Sequence, residues 1–419
     1  MQGSSSSEPP PPFQDEDPSS SIPLDSLPDY GYGTGPGQDV SPPEFTPYEA
    51  EFFLVANDDV VSHDPHLNGD GEALYRFLLS QSQSAPMYRL SCQGSHTEMR
   101  SHWVAGNGRS EGRNETRSET VIDFDFSVEI GGHIEPRSVV QWSVPDNEPV
   151  YRGKMIREVE DLLQPSSDDG IKRRAATKAE IKTYKEWLGE RRALGLPPWV
   201  GQNSRQNFRE GTLADERVDV LRSSKTVRDW ADEYCASPKY LKEFVYEKIM
   251  YGWNLQQLES AIRSSIISTN YHGDLRIYFV PYSSKVYIRP DNKISRMLSN
   301  KWLKFLSIIT LIFPFIWLFK RFHSRGGGRW EVCGGAYALK RPAHAGEEST
   351  SSLPSGKGQP QTALTQGTSQ IIGIREGEWF RKWEPTITRA VTQRYQSPTP
   401  FYTPTTQVQY NPGHALDGY

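Results

Sequence analysis

The sequence predicts an α+β body built on an antiparallel sheet with a helical segment, carrying one short membrane-inserted helix or hairpin and ending in disordered N- and C-terminal tails. Three observations predict it. Apolar and polar residues alternate between Tyr88 and Ile130, the period changes to that of helices over residues 151–270, and Trp302 to Phe319 forms an apolar run with basic residues at both ends. The tails follow from composition: only 36% of the 419 residues are hydrophobic, with 34 Gly and 31 Pro, so part of the chain cannot bury enough surface to offset its ordering entropy.

Residues 1–45 are such a part, an acidic Pro-rich tail that includes Pro9 to Pro12. The charge is partitioned. No Lys or Arg precedes Arg76, whereas fifteen acids do, so the formal net charge of -5 combines an acidic arm with a basic remainder at +10. That balance excludes a globally basic nucleic-acid binder. Met1 to Phe13 has neither a basic nor an apolar stretch of the kind a secretory signal needs, and Cys92, Cys235 and Cys333 are too few and too far apart for a disulfide framework. A cytosolic body with reduced thiols is the expectation.

Residues 46–150 read as mainly antiparallel β with one helix. Phe52 to Val55 is a short apolar strand. Asp70 to Ser82 places Leu74, Phe77 and Leu78 on one helical face, with acids in the first turn where the helix dipole favours them. Tyr88, Leu90 and Cys92 start a strand that turns through Gly106-Asn107-Gly108 into Thr120 to Ile130, where Ile122, Phe124, Phe126, Val128 and Ile130 all fall on one face. Val140, Trp142 and Val144 add another strand.

Residues 151–300 read as a helical segment plus a β-hairpin. Ile156, Val159 and Leu163 share a helical face, and so do Ile181, Tyr184 and Leu188 behind a capping pair, Thr177 and Glu180. Ser237-Pro238 starts a helix with Leu241, Phe244 and Val245, and Asn254 caps one with Leu255, Leu258, Ile262 and Ile266. Leu275, Ile277 and Phe279 then pair with Val286 and Ile288 as a hairpin.

The membrane segment is 302–320. Trp302 and Trp317 sit where interfacial aromatics belong, Lys304, Lys320 and Arg321 supply charge for headgroups, and Pro314 interrupts the backbone ladder. Basic residues balance across the two flanks, so charge leaves two topologies open: a hairpin in the cytosolic leaflet, or one kinked span. A juxtamembrane strand or loop (321–345) follows a Gly326-Gly327-Gly328 hinge, then a flexible linker (346–370), an amphipathic segment (371–395) with Phe380, Trp383, Ile387 and Val391 on one face, and a disordered tail (396–419). The amphipathic segment suits either a membrane surface or a returning piece of core.

No catalytic motif is present, and no cofactor is implied. His63, Asp64 and His66 are candidate metal ligands, set against a polar loop capping the next helix. The basic helix within Lys172 to Arg192 suits a solvated face or anionic lipid better than nucleic acid. The stretches YRLSCQGSHTEMRSHW and GRNETRSETVIDFDF, followed by LIFPFIWLFKRF, resemble fungal membrane proteins of unassigned function and, more remotely, the animal transmembrane protein 151 family. That resemblance implies membrane residence but no activity. The expected function is a non-enzymatic, membrane-anchored adaptor or scaffold that displays its body on the cytosolic side of an endomembrane such as the endoplasmic reticulum. Its partners would be anionic lipids and proteins bound through the tails. The alternatives are a membrane-bound metal-dependent hydrolase and a lipid-binding or transfer module with a cavity under the Thr120 to Ile130 sheet.

Overall fold

The strand Leu241–Tyr251 (β9) organises the molecule, and it occupies residues whose spacing reads as helical. Leu241, Phe244 and Val245 recur at helical intervals because both faces of this strand are covered, which erases the alternation a half-exposed strand would show. Even its lysines are accommodated inside. Lys242 Nζ donates to the carbonyls of Tyr234 (2.8 Å), Asn68, Cys235 and Ser237 (3.1 Å each). A buried ammonium is tolerated when its donors are satisfied in this way.

A computed structural model describes residues 49–104, 113–134, 139–161, 172–202, 223–342 and 371–404. The expected disordered tail 1–45 and linker 346–370 lie outside these residues. The described strands preceding β9 are β1 (Phe53–Leu54), β2 (Val60–Ser62), β3 (Met87–Val104), β4 (Arg113–Glu129), β5 (Val140–Ser143), β6 (Arg152–Lys154), β7 (Glu158–Glu160) and β8 (Arg173–Ala175). After it come β10 (Asp274–Tyr282), β11 (Lys285–Ile288), β12 (Gly327–Ala338), β13 (Lys340–Pro342) and β14 (Ile371–Gly373). The main sheet runs β1-β2-β11-β9-β12-β5, with β6 also on β12. It is mixed: β9 is parallel to β12 but antiparallel to β11. A second, antiparallel sheet runs β10-β3-β4.

Several sequence expectations change. Residues 152–160 form β6 and β7 rather than a helix; Arg152 is buried between them and donates to the carbonyls of Glu148 (2.9 Å), Glu158 (2.6 Å) and Pro145 (2.5 Å). β10 and β11 do not pair as a hairpin. β10 lies on β3 and β11 lies between β2 and β9, so the chain changes sheets at Ser283, which takes a left-handed φ of 50°. The alternation in β4 also fails once. A bulge opposite Gly94 and Ser95 turns Ile122 outward at 44% exposure and buries Asp123 in its place.

The helices fill two cores. α1 (Pro65–Gly69), α2 (Gly71–Gln83) and α4 (Val227–Ala236) cover one face of the main sheet, with Leu74, Leu78, Trp230 and Tyr234 against Phe244, Tyr246, Ile288 and Trp330. α3 (Lys178–Ala193) begins with the expected Thr177–Glu180 capping box and buries Tyr184, Trp187 and Arg191. α5 (Leu255–Ser268), capped by Asn254, lies with α9 (Glu376–Thr392) over the second sheet. Between them in sequence are α6 (Lys293–Ser299), α7 (Lys301–Ile309) and α8 (Ile312–Phe322).

α9 is the amphipathic segment whose role the sequence left open, and here it is core. Trp379, Trp383, Ile387 and Val391 are buried against Leu258, Ile262, Ile266, Phe124 and Phe126. These side chains occupy the space under the Thr120 to Ile130 sheet, where a lipid-transfer module would need its cavity. The expected C-terminal tail is likewise held in part: Glu129 donates its N–H to Phe401 O at 2.9 Å and Ser397 to Asp125 O at 2.9 Å, so residues up to Phe401 lie along β4. The described residues from Ala50 onward fall in one compact unit.

A bent apolar helix pair and the cationic cleft beneath it

α7 and α8 are the predicted membrane segment, and they meet at 102°. Pro314 explains the break. It lies in the first turn of α8, where its missing N–H is not needed, but it cannot donate to the carbonyl of Thr310, so α7 cannot run on through it. The chain turns instead at Leu311, in a left-handed conformation with φ 57° that a leucine adopts only under strain. At 1.5 Å per residue the 9-residue and 11-residue arms are about 14 and 17 Å long, and among the described residues no single helix is long and apolar enough to cross a bilayer.

The surface of the pair is unlike the rest of the molecule. Trp302 (81% exposed), Phe315 (73%), Phe322 (70%) and Leu311 (68%) project outward, accompanied by Phe305, Leu306, Ile308, Ile309, Ile312, Trp317 and Leu318. A contiguous apolar surface of this kind marks an interaction site. The ends of the pair are fixed on one body. α6 follows directly from β11, and β12 begins four residues beyond α8 and runs parallel to β9 from Gly327↔Leu241 to Ala338↔Tyr251. Gly326 to Gly328 is therefore buried backbone entering the sheet rather than a hinge. A Cβ on Gly328 would lie 2.6 Å from Gly153 O.

Where the pair meets the sheet there is a cleft of about 370 Å³. Its walls bring together Glu243 from β9, Arg289 just after β11, Arg329 from β12, and Lys304 and Lys320 from the two arms of the pair, with Phe313, Ile316 and Trp317 closing the apolar side. Arg289 Nε donates to Glu243 Oε2 at 2.7 Å, and Arg289 also donates to Ser299 Oγ at 2.9 Å. Arg329 pairs with Glu331 at 2.6 Å and reaches Glu243 Oε1 at 3.3 Å, but in a direction that leaves its buried Nε without a hydrogen bond. Burial by itself would raise the Glu243 pKa; Arg289, Lys320 and Arg329 outweigh it and hold the carboxylate ionised.

The other sequence candidates have structural roles. His63 has both ring nitrogens engaged, Nδ1 with Pro290 O at 3.1 Å and Nε2 with Ser299 Oγ at 2.9 Å. Asp64 caps α1 by accepting from His66 N at 2.9 Å, and His66 Nε2 faces Asp70 at 3.9 Å. These three side chains do not share a centre, and among the described residues no group of three His, Cys, Asp or Glu side chains is arranged to hold a metal ion. The three cysteines are free, and burial pushes all their thiols up, Cys235 to about 11.

Of the predicted membrane residues, Trp302 faces solvent, and Lys304, Trp317 and Lys320 line the cleft. Pro314 sets the bend, and Arg321 Nη1 donates to Met155 O at 3.0 Å. Glu243, Arg289 and Arg329 were not legible as site residues, because they are separated by 40 or more positions and converge only through strand pairing. Within β9 the acids Glu243 and Glu247 are half-buried among buried neighbours, a pattern that only the folded strand shows. No family model, curated protein or solved structure matches this chain.

Proposed function

We propose that this protein is a monotopic membrane adaptor: α7 and α8 dip into one leaflet of an endomembrane, such as that of the endoplasmic reticulum, and the α+β body is displayed on its cytosolic face as a non-enzymatic scaffold. The observation that carries the reading is the exposed apolar surface of a bent pair whose two ends both return to the main sheet. A single span would place β12 across the bilayer from β9, and their shared ladder could not form. That closure favours the hairpin over the kinked span. Anionic lipids suit the basic residues at both ends of the pair. Protein partners would be recruited by the rest of the body and the tails.

The experiment is a protease-sensitive tag on the C-terminus, with the chain bound to sealed microsomes. The tag is cleaved without detergent if both ends of the helix pair remain on the cytosolic side. Protection of the tag would refute the hairpin.

A further inference from the structure

We propose that the cleft beneath the bent pair is a binding site for a phosphomonoester, presented by the headgroup of an anionic phospholipid and held by Lys304 and Lys320 with Arg289 and Arg329 behind them. The inference rests on the membrane-contact reading and adds to it the lipid chemistry recognised.

The charge balance is the first argument. Arg289 and Arg329 are matched by Glu243 and Glu331. Lys304 and Lys320 line the same cleft, and among the described residues neither has a carboxylate within ion-pair distance. Two uncompensated cations fit a phosphomonoester, which carries about -1.5 to -2 at pH 7, better than a phosphodiester with a single charge. Geometry is the second. The two lysines come from opposite arms of the pair, so the 102° bend itself sets their approach. Glu243 and Ser299 anchor Arg289, and Glu331 anchors Arg329, so the guanidinium wall stands ready without a ligand. Preorganised donors of this kind lose little entropy on binding. The buried Arg329 Nε, which makes no hydrogen bond, is a further donor in that wall.

The apolar wall points to a lipid source. Trp317 lines the cleft and is itself 48% exposed, so the apolar wall reaches the outer surface of the pair and a headgroup can enter the cleft while its acyl chains stay beside the helices. A volume of about 370 Å³ lies at the small end of ligand sites, suited to a compact phosphate headgroup.

The test compares flotation of the full chain with vesicles of phosphatidylcholine alone, with phosphatidylserine, and with phosphatidate, the last two matched in surface charge. Phosphatidate is expected to bind more protein than phosphatidylserine. In the double variant Lys304→Gln and Lys320→Gln that surplus falls about tenfold or more, the scale of losing charge-assisted contacts, while binding to phosphatidylcholine persists. Lys320→Arg keeps the surplus, which separates loss of charge from loss of folding. Equal binding to the two anionic vesicles, or a double variant that keeps the surplus, overturns the proposal. Should the wild type ignore every vesicle, the membrane reading fails and glycerol 3-phosphate decides the rest. A rise in unfolding temperature for the wild type but not the double variant keeps the phosphate site with a soluble ligand, and no rise overturns that too.

Discussion

Replacing Phe315 by serine is the sharpest test of the helix pair as a membrane contact. Phe315 is 73% exposed and, among the described residues, makes no ring contact, so the folded body does not depend on it. Fully burying a phenylalanine is worth up to about 3 kcal/mol; scaled by its exposure, insertion of this ring into the leaflet contributes roughly 2 kcal/mol. At about 1.4 kcal/mol per factor of ten, Phe315→Ser should weaken partitioning into phosphatidylcholine vesicles roughly 30-fold. Trp302, 81% exposed on the other arm, should contribute a similar amount. Because the two lie on separate helices, their effects should add to about 1,000-fold in the double variant. Co-sedimentation over a lipid titration measures the partition coefficient, and thermal unfolding without lipid provides the control, since exposed substitutions change stability by only about 0.5 kcal/mol. A Phe315→Ser variant that partitions like the wild type would refute the insertion of this surface.

Two further outcomes concern the body. Trp383 is 2% exposed and its ring lies 5.9 Å from that of Trp379, so Trp383→Ala should cost about 3–5 kcal/mol in urea unfolding; a cost below about 0.5 kcal/mol would mean that α9 is a surface helix after all. His96 links β3 to β4, with Nδ1 2.8 Å from Asp123 and Nε2 3.0 Å from Glu98, and these hydrogen bonds, Asp123 first, raise its pKa. Tyr271 donates to Asp123 at 3.0 Å, Arg394 lies 3.8 Å from Asp123, and Arg100 pairs with Glu98 at 3.3 Å. A folded pKa above the unfolded one makes the contribution complete below the unfolded value of about 6.5 and lost as pH rises through the raised value. The unfolding midpoint should therefore decline over that interval, and His96→Gln should flatten the decline; an unchanged slope would remove His96 as its source.

Much of the local structure was legible because capping and amphipathic period are local chemistry. The Thr177–Glu180 pair, Asn254 as a cap, and the Leu258-Ile262-Ile266 stripe needed only their own turns of helix to be read. β9 was not legible, since burial on both faces removes the alternation that announces a strand. Nor was the separation of β10 from β11, two strands close in sequence that a short turn would ordinarily pair. The bulge that exposes Ile122 depends on Gly94 and Ser95 across the sheet, out of reach of any pattern within β4. Of the site, the sequence marked Trp302, Lys304, Pro314, Trp317, Lys320 and Arg321, but it could not bring Glu243, Arg289 and Arg329 to them.

By itself the sequence determined that residues 302–320 are apolar, proline-broken and bracketed by bases, because composition and the missing proline donor are properties of that stretch alone. Only the tertiary structure decided where the two ends of that stretch go. The ladder between β12 and β9 ties the chain after the helices to the chain before them, and that long-range pairing ties both ends of the pair to one sheet and gathers five charged side chains from separate elements into one cleft.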